Sequence, residues 1–501
     1  MFSKIKLLIN RLGKRMVNNT SSVINISDKN YVENKISTWK SSVERMEQIT
    51  GEKYYKGLHD ILKRKRTVIG ENGALTEVGN LPNNQIVDNQ YGKMVDQKKN
   101  YLLGQPIVFT SENEQYNEAL QQVFNKNFLR TLKNVGLDSL TGGIAWLHPY
   151  YDEEGNFKFK KFPAYEILPF WANKEHTKLK CAIRYYHEEE RDGNKDDLVE
   201  KVDLYTPDGI YYFDLKNGKL VLNSEMPHSN YLTLETEEGE QAYNWTRIPL
   251  IPFKFNSFET PLINRCKSIQ DAINLIMSDF VNVMEENAGG NSILILKNHG
   301  GENLGSFRRK LATYRAVKIE TTPNLDGGIE KLEIEVNSEN YEIILKALKR
   351  QLIENCRGFD AKDERMSNNP NQMNIQSAYT DLDLDAREME AEYEAAFDEL
   401  LWFVNQHLAN SGVGNFENEE VDIQFNKDTL VNETEVMDML TKAGVRIPNE
   451  ILLEQVPWID DVERAKDLLE EEEQKQLDIY GGALPVNGNK TDGEVDDEED
   501  K

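Results

Sequence analysis

Three runs of helical hydrophobic spacing between residues 260 and 410, separated first by a compact insert and then by an Asn-rich loop, restrict this chain more than any other feature. Thr260 as N-cap and Pro261 at the first helical position set a start, and Leu262, Cys266, Ile269, Ile273, Ile276 and Phe280 follow three and four residues apart. One apolar seam results. A second helix, from about Glu339, repeats the spacing through Tyr341, Leu345, Leu348 and Leu352, which leaves each helix a stripe to bury and a charged face. The third runs from about Ile375 through Leu382, Ala386, Met389, Tyr393, Phe397, Leu401 and Val404 to a stop at Asn410, Ser411 and Gly412. At 1.5 Å per residue it spans roughly 50 Å, long for a helix of a compact domain. Helices of this kind suit a subunit of a ring better than a monomeric enzyme.

The region ahead of residue 260 reads as α+β, helices first and strands after. Residues 31–70 look helical and end in the basic cluster Lys63, Arg64, Lys65 and Arg66, read as a solvated helix end. Residues 88–103 look helical again, stopped by Gly104 and Pro106, with a strand at 107–110. From 144 to 255 strand signals dominate: WLHPYY, FKFKKF, AIRYYHEEE, VDLYT, GIYYFDL and IPLIPFKF, with turns at DEEGN and KNGK. The insert between the first two long helices offers a strand at 292–297, a short helix near 304–313, a strand at 316–320, a turn at Asp326, Gly327 and Gly328, and an alternating strand at 329–336. After the longest helix come a short strand, VDIQF, and helices near 433–443 and 460–473. Residues 476–501 are almost free of apolar side chains from Gly481 on and read as a disordered acidic tail.

Charge removes several function classes. The 59 basic and 86 acidic residues give a net charge of -27, which argues against coating nucleic acid by bulk attraction. Residues 1–29 form a basic amphipathic arm whose uncharged apolar run is too short for a signal peptide or a membrane span, so no membrane is expected. Cys181, Cys266 and Cys356 are far apart in sequence, with no CxxC pair. No phosphate-cradling or nucleophile motif occurs, so neither catalytic residues nor a cofactor is expected. Asp381, Asp383, Asp385 and Glu392 fall at positions 1, 3, 5 and 12 of a calcium loop, but Ala386 stands where the turn needs Gly. They read as a solvated helix face, and no metal site is expected. The insert differs: Lys297, Arg308, Arg309, Lys310, Arg315 and Lys318 face only Glu302 in sequence. In so acidic a chain, such a patch wants phosphate or an acidic protein surface.

The segments VDQKKNYLLGQPIVFTS (95–111), WLHPYYDEEGNFKFKKFPAYEI, IPLIPFKFN, ILKNHGGENL and ELLWFVNQHL, in that order, resemble the portal proteins of tailed phages, specifically the family in siphophages of Gram-positive hosts. The resemblance covers roughly residues 30–475. It implies a non-enzymatic ring, usually of twelve subunits, at one capsid vertex in the virion, assembled in the host cytoplasm, with double-stranded DNA passing through an axial channel. It further implies docking of the terminase and head-completion adaptors, and contact with capsid and scaffolding proteins. Residues 30–256 would be the wing, 257–287 and 338–357 the stem helices, 288–337 the clip, 358–374 the tunnel loop, and 375–475 the long helix and crown. Lys362, Arg365, Asn368, Asn369, Asn371 and Gln372 of that loop would face DNA, and Arg308, Arg309 and Lys310 of the clip would dock a partner. The loop departs from a small-residue, Gly-rich pattern through Ser367, Asn368, Asn369, Pro370, Asn371 and Gln372. A non-portal virion scaffold or adaptor, or a metal-dependent nucleic-acid enzyme using the acids of the long helix, are the competing readings.

Overall fold

The computed structural model describes residues 29–69, 73–79, 81–192, 195–236, 239–288, 293–297, 303, 305–307, 328–332, 338–360 and 372–427, with residues 464, 466, 468 and 469 beyond them. Two units are present, one of Met1–Asp360 with Tyr379–Asp428 and one of Ala361–Ala378 with Thr429–Lys501. In the second, the described residues are helical.

The first unit opens with helices α1 (Lys29–Lys40) and α2 (Val43–Tyr55), α2 capped by the Ser42 hydroxyl. Val32, Ile36 and Trp39 lie four and three residues apart and are the buried face of α1. That face packs on Ile183, Tyr185, Val202, Leu204, Phe213, Leu215 and Leu220 of an antiparallel sheet. Its strands run in the spatial order Lys219–Leu222, Gly209–Lys216, Lys195–Thr206, Leu179–Asp192 and Ile167–Trp171, and His228–Ser229 adds to Gly209–Lys216. Asn217 and Gly218, both at positive φ (52° and 74°), make the tight hairpin turn that the KNGK signal predicts.

A second antiparallel sheet orders Ile251–Lys254, Ile144–Tyr151 and Phe157–Phe162. Three helices precede it: α3 (Gln90–Leu103), α4 (Glu114–Val123) and α5 (Lys126–Gly142). Asn113 and Asn125 cap the last two through side-chain oxygens. The sequence reading passes over both.

Of the three long helices, the first differs from expectation at its start. Leu262–Arg265 is a 3-10 turn, Cys266 breaks it with φ -141°, and the α-helix α6 covers Lys267–Ala288. Pro261 is extended (φ -62°, ψ 146°) and precedes the 3-10 turn instead of opening an α-helix. The strands Ile293–Lys297 and Gly328–Leu332 then pair antiparallel, Ile293 opposite Leu332, and α7 (Ser338–Asn355) follows. Residues 305–307 are helical, while the rest of that short helix and the strand at 316–320 lie outside the described residues, as do residues 1–28, the helices at 433–443 and much of 460–473, and the acidic tail.

The longest helix, α8 (Gln372–Asn410), matches its expected extent. Leu382, Met389, Tyr393, Phe397, Leu400, Phe403 and Val404 are all buried within the first unit, and Tyr393 and Phe397 meet Phe253 edge to face at 4.9 and 5.4 Å. Between Tyr393 and His407 the helix packs on its own sheet, at Phe253, Tyr151 and Phe157. Strand Asp422–Gln424 then pairs with Val108–Thr110, returning the chain to the start of α4.

Candidate functional site

The end of α7 that leads into the loop before α8 is described, and it is held by several bonds. Helix α7 stops in a Schellman arrangement: Gly358 N–H donates to Ile353 O (2.8 Å) and Arg357 N–H to Glu354 O (3.0 Å). The left-handed position, φ 49°, falls to Arg357, where glycine is usual. Tertiary bonds offset that strain. The Arg357 guanidinium donates to Asp385 Oδ1 at 2.8 Å, and its carbonyl accepts from Lys98 Nζ at 2.9 Å. At Gly358 a Cβ would come within 2.4 Å of Met94 Sδ, so a larger residue would have to displace that buried side chain. Phe359 then exchanges both backbone bonds with the Gln97 amide, each 2.8 Å, and its ring stacks on Tyr379 of α8 at 4.5 Å.

Asp385 is the hub of this junction. Only 2% exposed, its carboxylate takes Lys98 Nζ at 2.8 Å, Arg265 at 2.6 Å and Arg357 at 2.8 Å. Burial opposes its ionisation, but Lys98 and Arg265 outweigh burial and hold it below the ordinary carboxylate range. The reading of Asp381, Asp383, Asp385 and Glu392 as a solvated helix face is therefore corrected at Asp385. Asp383, too, is engaged, with Arg387 at 2.7 Å and Lys427 at 3.2 Å. Cys266 and Cys356, distant in sequence, are both buried here, and the neighbouring Cys356 thiol together with burial raises the Cys266 thiol.

Helix α6 carries a feature the apolar reading missed. Gln270, Asn274, Ser278 and Asn282, four residues apart, are all 0% exposed. Three of them bind alternate backbone amides of the segment ahead of α3, and Gln270 binds one in its first turn. Asn84 N–H donates to Asn282 Oδ1 (2.7 Å), Ile86 N–H to Ser278 Oγ (2.9 Å), Asp88 N–H to Asn274 Oδ1 (3.0 Å) and Tyr91 N–H to Gln270 Oε1 (2.9 Å). The match is metric: alternate residues of an extended chain repeat at about 6.6 Å and helical i, i+4 positions at about 6 Å. Lys349 of α7 reaches Asp88 at 2.6 Å, tying the same segment to the second helix. The basic cluster at 63–66 is likewise not simply solvated. Arg64 pairs with Asp279 at 2.6 Å and Arg66 with Glu286 at 2.9 Å, both on α6.

Of the residues expected to face DNA, Gln372 is the first residue of α8, whereas Lys362, Arg365, Asn368, Asn369 and Asn371 lie outside the described residues. Arg308, Arg309 and Lys310 also lie outside them. Among the described residues no helix is long and apolar enough to cross a membrane.

The described residues form a mixed α and β chain, with a strand pair inserted between two helices and a long helix packed in part on an antiparallel sheet. The sequence profile "Phage portal protein, SPP1 Gp6-like" matches residues 32–478, and the chain belongs to that family. It is 27% identical over 459 residues to the portal protein of Bacillus phage SPP1, covering 90% of this chain and 88% of that one. To the portal protein of Clostridium phage phiCD119 it is 28% identical over 445 residues, covering 87% and 94%. Its function is that of a phage portal, a structural component of the virion.

Proposed function

We infer that the chain forms a closed ring of twelve copies at one capsid vertex, with double-stranded DNA passing through its axial channel during packaging and ejection. In this reading residues 30–256 are the wing, α6 and α7 the stem, 288–337 the clip, 358–374 the tunnel loop and the residues after α8 the crown. The terminase docks during filling and head-completion adaptors afterwards, with Arg308, Arg309 and Lys310 of the clip as the docking cluster. Capsid and scaffolding proteins surround the ring, and assembly occurs in the host cytoplasm. The subunit itself catalyses nothing; the ATPase is another protein.

The observation that carries this reading is the pinning of the loop. The chain leaves the first unit after Asp360 and re-enters it at Tyr379, and the rings of Phe359 and Tyr379 stack at 4.5 Å, so these two flanking positions are held together. Lys362, Arg365, Asn368, Asn369, Asn371 and Gln372 then offer cations and amides to phosphates without sequence preference. The net charge of -27 keeps any such contact weak enough for DNA to slide. The test is a packaging assay with Lys362→Ala plus Arg365→Ala, or with residues 368–372 removed. Rings should form normally while packaged DNA length or retention falls. Full genomes packaged at the wild-type rate and retained would reduce the loop to a connector.

A further inference from the structure

His59 is 1% exposed and sits where the end of α2, the 3-10 turn Asp60–Lys63 and α6 come together. Its ring stacks on Tyr54 of α2, with centroids 4.4 Å apart. Both ring nitrogens are engaged, Nε2 with Tyr54 O at 2.9 Å and Nδ1 with Asn274 Nδ2 of α6 at 2.7 Å. A carbonyl only accepts, so Nε2 carries the ring proton. The Asp88 backbone N–H only donates, and it reaches Asn274 Oδ1 at 3.0 Å, so Asn274 must turn its amide nitrogen to His59. Nδ1 is therefore bare, and the arrangement fits only the neutral imidazole.

A second ring proton would meet an N–H donor head-on. Turning the Asn274 amide over relieves that conflict by offering Oδ1 to the charged ring. The same turn takes the oxygen from the Asp88 N–H and sets a donor against it. Asn274 Oδ1 can serve the charged ring or the segment ahead of α3, and not both. Asp88 is where the loss spreads. Its carbonyl accepts from Gln270 Nε2 at 2.7 Å, an amide that also donates to Asn274 Oδ1 at 3.1 Å, and its carboxylate takes Lys349 of α7 at 2.6 Å.

The charged and titratable groups around the ring are Asp60 on its own turn, Lys267 and Asp271 on α6, and Tyr54 on α2. Lys267 Nζ holds the two carboxylates at 2.9 and 2.7 Å, and the Tyr54 hydroxyl lies 3.0 and 2.6 Å from them. Burial outweighs the pull of the Tyr54 carbonyl and of both carboxylates, and lowers His59 below the ordinary histidine range. The contact is therefore complete above about pH 6.5, where the unfolded chain also holds a neutral ring, and is lost as pH falls through the lower folded value.

We propose that His59 and Asn274 form an acid-sensitive latch, in which protonation of the His59 ring turns the Asn274 amide over and releases residues 84–88 from α6. The tie that runs from α6 through Asp88 to Lys349 of α7 loosens with it. This goes beyond the portal reading and does not depend on ring formation.

The experiment follows hydrogen exchange of the full chain by mass spectrometry at about pH 7.5 and about pH 5, with rates corrected for the intrinsic effect of pH. Peptides covering 84–88 report on the latch, and strand Ile144–Tyr151 is the control. On acidification, protection of 84–88 should fall by roughly ten-fold or more, as for one buried hydrogen bond lost, while the strand holds. His59→Asn keeps an acceptor for Asn274 but cannot titrate, so 84–88 should exchange alike at both pH values whatever its baseline. Asn274→Asp gives one carboxylate oxygen to each partner, so the segment should stay protected in acid. Far-UV circular dichroism checks folding, and if one variant does not fold, the wild-type profile and the other variant decide. Protection of 84–88 that ignores pH in the wild type, that falls only together with the control strand, or that falls equally in either folded variant overturns the proposal.

Discussion

Asp385 shows how one side chain can set the geometry of a junction it does not itself line. Three cations reach a carboxylate that is 2% exposed, and one of them, Lys98, is 3% exposed. Removing the carboxylate strands a buried ammonium; removing the ammonium leaves Asp385 with two arginines. Asp385→Ala is therefore expected to cost about 3–5 kcal/mol and Lys98→Met clearly less, read from chemical-denaturation midpoints. Equal costs would contradict the hub. Leu382, Asp385, Ala386 and Met389 share the i, i+3, i+4, i+7 spacing of a buried face. The placement of Asp385 was thus legible, but its charge masked it, because the three partners come from residues 98, 265 and 357.

A second residue-scale expectation concerns pH. His148, buried and bonded through Nδ1 to Pro249 O at 2.6 Å, is lowered to about 4 by burial. It stays neutral in the fold while the unfolded chain protonates near 6.5, so its contribution is complete above that pH and is lost as pH falls toward 4, by up to roughly 3 kcal/mol. Asp203 has the opposite sign: burial, against Arg184, raises it to about 6, so the fold gains stability as pH falls from 6 toward 3.8. The two slopes nearly cancel in the wild type. His148→Gln should gain stability on acidification from pH 6 to 4, and Asp203→Asn should lose it, measured as denaturation midpoints against pH. Unchanged slopes in both would show that neither group titrates as assigned.

At the scale of elements, α6 separates what spacing reveals from what it hides. Its seam was read as apolar, yet its fully buried positions include Gln270, Asn274, Ser278 and Asn282. The stripe is visible as four polar residues at four-residue intervals. Its partner is backbone, which leaves no pattern in the sequence. Asn274→Ala and Ser278→Ala should each speed hydrogen exchange at the amide they serve, Asp88 and Ile86, by roughly ten-fold or more, because a lost acceptor costs about 1–3 kcal/mol. Leu275→Ala, on an exposed position of the same helix, should leave both amides unchanged. Helices α7 and α8 were readable in extent because one periodic face continues to a clear stop. The start of α6 was not, since a Pro that can open a helix here precedes a 3-10 turn and a break at Cys266. Helices α4 and α5 escaped notice although Asn113 and Asn125 mark their starts.

At the scale of the molecule, family membership rests on segments spread along the chain, which is why it was legible although the basic insert and the Asn-rich loop name no chemistry by themselves. Part of α8 is covered by its own sheet, at Tyr393 and Phe397. Exposed apolar side chains include Ile69 and Leu75, which oppose each other across the strands Thr67–Ile69 and Leu75–Glu77. The most direct test of the central claim is native mass measurement of the purified full chain at micromolar concentration, with electron micrographs of the same sample. The account predicts closed rings of one stoichiometry, twelve chains around an open channel. A stable monomer without rings in the images would contradict it.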